Sequence, residues 1–216
     1  MARARAALPN SKTHALSLCC VARTSQFHRM WIAAVEHSAA LVVDVRGNTG
    51  GCVSELLLEK LLKTRLLTTR PTHGARGHFP LHSHAGPVAL LVDEDTSSDG
   101  EMLAFSLRES ALALNSAAAT DAGRTARLRV RIVGQRTWGG AVGISCDTVC
   151  VDGTIVAHPS FASLPMSGGD GCAAVIENVG VAPDVGVSIA PHDYAAGRDP
   201  QLDAAIAEAI AMIEGP

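Results

Sequence analysis

Thr96-Ser97-Ser98-Asp99-Gly100-Glu101 stands between an apolar run, Val88-Ala89-Leu90-Leu91-Val92, and Met102-Leu103-Ala104-Phe105-Ser106-Leu107, whose apolar spacing suits a helix packed on a sheet. The stretch thus reads as a strand-to-helix junction carrying a serine. The first-turn N–H groups of a helix have no partners within it, and its dipole favours negative charge at that end. A serine there can be presented as a nucleophile, with a neighbouring amide placed to bind an oxyanion. The same residues have a simpler reading. Ser98 to Glu101 is a Ser-x-x-Glu capping box, and Ser and Asp favour helix starts for that reason alone.

Working outward, Ala40-Leu41-Val42-Val43-Asp44-Val45 has the pattern of a buried strand and runs into Arg46-Gly47-Asn48-Thr49-Gly50-Gly51. A helix-like segment, Val53-Ser54-Glu55-Leu56-Leu57-Leu58-Glu59-Lys60-Leu61-Leu62, follows. Adjacent glycines at a strand end let backbone approach a ligand closely, so Gly50 and Gly51 are candidate substrate-binding positions. Two strand–turn–helix units can aim their amides at one point. Pattern alone supports a mixed α/β domain.

These stretches carry a resemblance. LVVDVRGNTGG, VSELLLEKLL, SSDGE, GQRTWGGAVGI, VDGTIVAHP, VIENVGVAPDV and APHDYAAGRDPQLDAAI resemble, in this order, the C-terminal catalytic domain of the tricorn branch of the C-terminal-processing (tail-specific) serine peptidases. The similarity runs from about Phe27 to the C-terminus. It implies an α/β fold of the ClpP/crotonase-like kind, a layered sheet-and-helix domain. It also implies that Ser98 is the nucleophile of an acyl-enzyme mechanism, that the N–H groups of Gly51 and Asp99 form the oxyanion hole, and that Glu177 completes the charge network. On the residues alone, Glu177 reads equally well as a loop carboxylate capping nearby backbone.

A serine hydroxyl needs a general base. The resemblance implies a histidine, preceded by a serine, in a helical domain upstream of this one, and nothing in this sequence matches it. His28, His37, His158 and His192 cannot be placed beside Ser98 by motif. The expectation is therefore the nucleophile half of a serine peptidase, with a catalytically incomplete peptide-binding or assembly module as the alternative. An acyl-CoA enzyme of the crotonase type is a distant third, since it would not use Ser98. The resemblance implies an aspartate that selects basic side chains at the position of Thr69, so with threonine there no strong preference for Lys or Arg is expected.

Composition narrows the remaining classes. A chain of 216 residues with 47% apolar content and mean hydropathy +0.20 can bury one substantial core. A net charge of -3 and a pI near 6.3 argue against nucleic acid as a partner, and no apolar run reaches the length of a membrane span. The expected partners are peptide or unfolded polypeptide substrates, with a homo-oligomer where upstream domains are present. No cofactor is expected. The cysteines at 19, 20, 52, 146, 150 and 172 lack paired zinc spacing, and a chain this size does not need disulfides. A reducing, cytoplasmic setting with free thiols is expected. His73, His78, His82 and His84 cluster in Thr64 to Gly86, but without helical spacing or a cysteine partner they read as a solvated loop, not a metal site.

Residues 1–26 are set apart from a core domain of 27–216. The start has Arg3, Arg5, Lys12 and Arg23, many Ala and Ser, and no acid before Glu36, the composition of an organelle transit peptide; the resemblance, whose members carry further domains before this point, implies instead a mispredicted start or the truncated end of a longer protein. The strand the resemblance implies just before Phe27 is not recognisable there. Phe27 to His37 suits a short helix, and Glu109 to Arg124 reads as a surface insertion. Arg127 to Val133 alternates as a strand. Val149 to Val156 reads as a hairpin turning at Asp152-Gly153. A tail helix over Asp203–Ile213 carries Leu202, Ile206, Ala209, Ile210 and Ile213 on one side.

Overall fold

The computed structural model of the chain describes residues 13–17, 29, 31, 32, 35, 38–120, 128–161 and 176–215. Its centre is a parallel five-stranded sheet. β1 (Thr13–Ser17), β2 (Ala40–Asp44), β5 (Val88–Val92), β6 (Val130–Gly134) and β9 (Val185–Gly186) lie side by side in that order. All five residues of β5 are buried, because the strand has neighbours on both edges and helices over both faces. That burial is why the run contains no polar residue.

Successive residues of the strands alternate between two cores. Leu41, Val43, Val88, Leu90, Val92 and Ile132 face α1 (Ser54–Leu62) and α2 (Asp99–Thr120), which contribute Leu57, Leu61, Leu103, Ala104 and Leu107. Trp31 and Val35 join them, and the described residues of the Phe27–His37 segment are helical. Ala40, Val42, Ala89, Leu91 and Val133 face α4 (Pro200–Glu214). Each fully buried leucine or valine contributes about 1.5–3 kcal/mol by leaving water.

The structure departs from the sequence pattern in four places. Thr13–Ser17 lies within the residues 1–26 set apart on composition, yet it forms the edge strand β1, paired with Ala40–Asp44. Pairing of an edge strand is a backbone matter, and Thr-His-Ala-Leu-Ser carries no apolar run that would announce it. The stretch read as a surface insertion instead continues α2 through Thr120, as its alanine content allows; its remainder, 121–124, lies outside the described residues. α4 buries Gln201, Ala205 and Ala209, while Ile210 and Ile213 are exposed. Its packing face is thus turned by about a residue from the expected one, because small side chains let the helix approach the sheet. Finally, the Thr64–Gly86 connection contains a short hairpin, β3 (Leu67–Thr69) against β4 (Gly77–Phe79).

The Asp152-Gly153 hairpin forms as expected, with longer strands, β7 (Gly143–Val149) and β8 (Ile155–Phe161). A short helix, α3 (Pro191–Ala196), precedes α4. Among the described residues no helix is long and apolar enough to cross a membrane, and no group of three or more His, Cys, Asp or Glu could hold a metal ion.

Candidate active site

β2 and β5 are adjacent and parallel, so the turns that leave their C-terminal ends meet at one edge of the sheet. That edge is where open parallel sheets place their ligands. The first turn, 45–53, leads into α1, and the second, 93–98, into α2. Ser98 lies where the second turn becomes helix.

Ser98 has φ 51°, the left-handed region that a non-glycine residue enters only when its surroundings hold it there. What holds it is its own amide, which donates to the Gly140 carbonyl at 3.1 Å and to Glu101 Oε2 at 3.0 Å. Only half of the capping box therefore forms. The glutamate reaches back to the Ser98 amide, whereas the Glu101 amide is taken by the Ser98 carbonyl, not by its hydroxyl. The half-buried hydroxyl has no hydrogen-bond partner among the described residues.

Glu101 is completely buried and collects four donors. Oε1 accepts from Thr137 Oγ1 at 2.5 Å and the Gly139 amide at 2.6 Å, and Oε2 from the amides of Gly140 at 2.9 Å and Ser98 at 3.0 Å. A buried carboxylate is tolerated when its lone pairs are filled in this way. Glu101 thereby ties the 137–140 turn to the start of α2. In the sequence Glu101 reads only as the glutamate of a capping box. Its Ser-x-x-Glu spacing was visible, but its burial depends on a turn 36 residues away.

The first turn closes over the second. The Asn48 carbonyl accepts the Ser97 amide at 2.9 Å, and Asn48 Oδ1 accepts the Gly50 amide at 3.0 Å. Asn48 is itself buried. Gly50, at φ 117°, comes so close that a Cβ there would stand 2.8 Å from Ser98 Cβ, 3.1 Å from its Oγ and 3.6 Å from the Asp99 nitrogen. The glycine is needed both for its backbone angle and for this approach. The amides of Gly51 and Asp99 have no hydrogen-bond partners among the described residues, and the Asp99 nitrogen lies 3.6 Å from where a Gly50 Cβ would stand.

Glu177 lies in the 176–179 turn, and its Oε2 accepts the amides of Ala141 at 2.7 Å and Val142 at 2.8 Å. It therefore grips the same turn whose Gly140 carbonyl binds Ser98. The two turns are laced further by Asn178 N to Gly139 O at 2.7 Å and Val181 N to Thr137 Oγ1 at 2.7 Å. Ser98, Asp99 and Gly50 are thus brought into direct proximity, with Gly51 next along the first turn, while Glu177 reaches them through 140–142.

Arg46, unremarked in the sequence, anchors the first turn from behind. It pairs with Asp44 at 2.7 Å and Asp199 at 2.9 Å and donates to Gln201 Oε1 at 3.0 Å. Burial alone would disfavour its charge, but the hydrogen bonds and charges of Asp44 and Asp199 raise its pKa above the ordinary arginine value. This fork ties the end of β2 to the N-terminus of α4, where Asp199 also caps the Leu202 amide.

No histidine is hydrogen-bonded to the Ser98 hydroxyl among the described residues. His192 is exposed on α3, 3.6 Å from Asp193, and His158 sits on β8. His28 and His37 lie outside the described residues. Of the four clustered histidines, His84 is buried beside the Pro87 carbonyl and His78 meets Arg65. Thr69 is exposed on β3. Cys52, Cys146 and Cys150 are free and exposed.

The model of peptidase family S41 matches residues 21–115. Tricorn protease of Thermoplasma acidophilum is 36% identical over 182 residues, which is 84% of this chain and 15% of that protein. Tricorn protease homolog 1 of Streptomyces coelicolor is 37% identical over 190 residues, 88% of this chain and 16% of the relative. The crystal structure of the tricorn protease superimposes with a TM-score of 0.78 at 32% identity, covering 94% of this chain and 18% of that one. The chain thus spans about a sixth of the length of these relatives.

Proposed function

The chain belongs to peptidase family S41, in its tricorn branch, and from that premise we propose that it is the nucleophile-bearing domain of a serine-type peptidase. In this reading Ser98 Oγ attacks the scissile carbonyl and gives its proton to a general base. The tetrahedral oxyanion is taken by the Gly51 and Asp99 amides. Collapse expels the amine with a proton and leaves an acyl-Ser98, which water hydrolyses by the same route. Oxyanion donors of this kind are worth ~10²–10³ in turnover each. Glu177 holds the 140–142 turn and belongs to the charge network.

The observation that supports the reading is a hydroxyl with no hydrogen-bond partner among the described residues, on a left-handed backbone against which Gly50 of the other turn packs. Ser97 is a poor rival, being buried with its amide bound to Asn48. The substrates are peptides or unfolded polypeptides, and the working assembly is a homo-oligomer in the cytoplasm, where the exposed thiols of Cys52, Cys146 and Cys150 stay reduced.

The lack of a histidine at the Ser98 hydroxyl among the described residues favours one alternative, a peptide-binding module without a base. Labelling separates the cases. A fluorophosphonate should modify the complete enzyme, and Ser98→Ala should abolish the label while leaving the fold intact; undiminished labelling moves the nucleophile elsewhere. The 216-residue chain alone should cleave peptides barely above background, since oxyanion binding without a base leaves only ~10³–10⁴ over water. A histidine-bearing helical domain supplied in cis or in trans should raise that rate by orders of magnitude. Ordinary turnover by the isolated chain, with a bell-shaped pH profile, would instead identify a base among its own histidines.

A further inference from the structure

The carboxylate of Asp99 does not cap its own helix. Its Oδ2 accepts the amides of Val53 at 2.7 Å and Ser54 at 2.9 Å, and its Oδ1 accepts the Ser54 hydroxyl. Those are the orphan donors at the start of α1, 45 residues earlier and carried in by the neighbouring strand β2. Two helix N-termini, each with a partial positive charge, are thereby drawn to one carboxylate, where otherwise they would repel. The N-terminus of α1 has no side-chain cap of its own, so Asp99 is its cap in trans.

Gly51 lies two residues before Val53, within ~7 Å of it along any extended backbone. On its other side Gly50 is held by Asn48 and packed against Ser98. We infer that the Asp99 side chain positions the oxyanion hole: by clamping Val53 and Ser54 it holds the Gly51 amide of one turn against the Asp99 amide of the other. One residue supplies a donor from its backbone and sets the second donor with its side chain. The inference rests on the reading of Ser98 as nucleophile.

The test is the inactivation of the complete enzyme, with its histidine-bearing domain present, by a peptidyl fluorophosphonate, with kinact and KI measured separately and folding followed by thermal denaturation. Asp99→Ala retains the Asp99 amide but frees α1, so kinact should fall about 10²-fold while KI stays within about twofold, as the loss of one oxyanion donor predicts. Asp99→Asn keeps an acceptor oxygen for Val53 and Ser54 and should recover most of kinact. Ser54→Ala removes only the hydroxyl contact; it should lower kinact about threefold and add little to Asp99→Ala. If Asp99→Ala does not fold, Asp99→Asn and Ser54→Ala read the same split. A helix cap without influence on the chemistry would lower the melting temperature and leave kinact unchanged. That result, or kinact and KI changing together, overturns the inference. Labelling that persists in Ser98→Ala overturns the nucleophile itself, which is a different failure.

Discussion

Replacing Glu101 by glutamine changes one atom and removes one acceptor from a site where four donors converge. The amide must place its NH₂ where one of the two oxygens was. Placed at Oε2, it faces the amides of Ser98 and Gly140. Ser98 keeps the Gly140 carbonyl, but the Gly140 amide is orphaned. Placed at Oε1, it faces Thr137 and Gly139. The threonine hydroxyl can turn to accept, but the Gly139 amide cannot. Either orientation leaves one buried N–H without a partner, at about 1–3 kcal/mol, and exchanges charge-assisted bonds for neutral ones. The sum is about 3 kcal/mol, a large share of the 5–15 kcal/mol typical of a domain, and should lower the melting temperature by roughly 6–12 °C. Because the same carboxylate holds Ser98 at positive φ, fluorophosphonate labelling of the folded variant should also slow, by ~10²-fold if the hydroxyl moves by about an ångström. Urea denaturation and labelling of the same preparation decide it. A loss below about 0.5 kcal/mol with unchanged labelling would refute the account of Glu101 as the buried tie between α2 and the 137–140 turn.

Three further outcomes follow from the same geometry. Gly50→Ala should fold with about 1–3 kcal/mol of backbone strain and lose nearly all Ser98 labelling, since its Cβ would stand 2.8 Å from Ser98 Cβ; retained labelling would show that the first turn moves freely. His84, buried and beside Arg65, has its pKa held down to about 4 although the Pro87 carbonyl opposes the shift. The unfolded chain then binds more protons between about 4 and 6.5, so stability falls as pH drops through that window, by up to about 3 kcal/mol, and His84→Gln should flatten the denaturation profile between pH 4 and 7. With the exposed Thr69 where a selecting carboxylate is expected, fluorogenic peptide libraries should show less than about tenfold preference for Lys or Arg before the cut, that is less than ~1.4 kcal/mol; a stronger preference would direct attention to Glu94 and Asp95.

Much of the site was legible because its parts are local. A run such as Val88–Val92, apolar at every position, records burial on both faces, and the polar stretch from Asp93 to Ser98 after it marks the strand-to-helix turn whatever surrounds it. The pairing of two such units, at Ala40–Asp44 and Val88–Val92, is enough to place Gly50, Gly51, Ser98 and Asp99 at one edge of a parallel sheet. Other features depend on distant partners that no periodicity records. The choice between capping serine and free hydroxyl was decided by the positive φ of Ser98, which the Gly140 carbonyl and the buried Glu101 enforce. Glu177 could be named by resemblance, but its grip on Ala141 and Val142 required the fold. The edge strand Thr13–Ser17 escaped notice because its pairing uses backbone atoms common to every residue. Of the face expected on α4, Leu202, Ile206 and Ala209 do pack on the sheet, but Ile210 and Ile213 are exposed, because close approach to the sheet selects the small Ala205 beside Ala209. The sequence by itself thus determined which segments are strand, turn and helix around Ser98. Only tertiary structure decided which polar groups satisfy one another, because a hydrogen bond across 36 or 45 residues is a property of where the chain returns, not of the spacing along it.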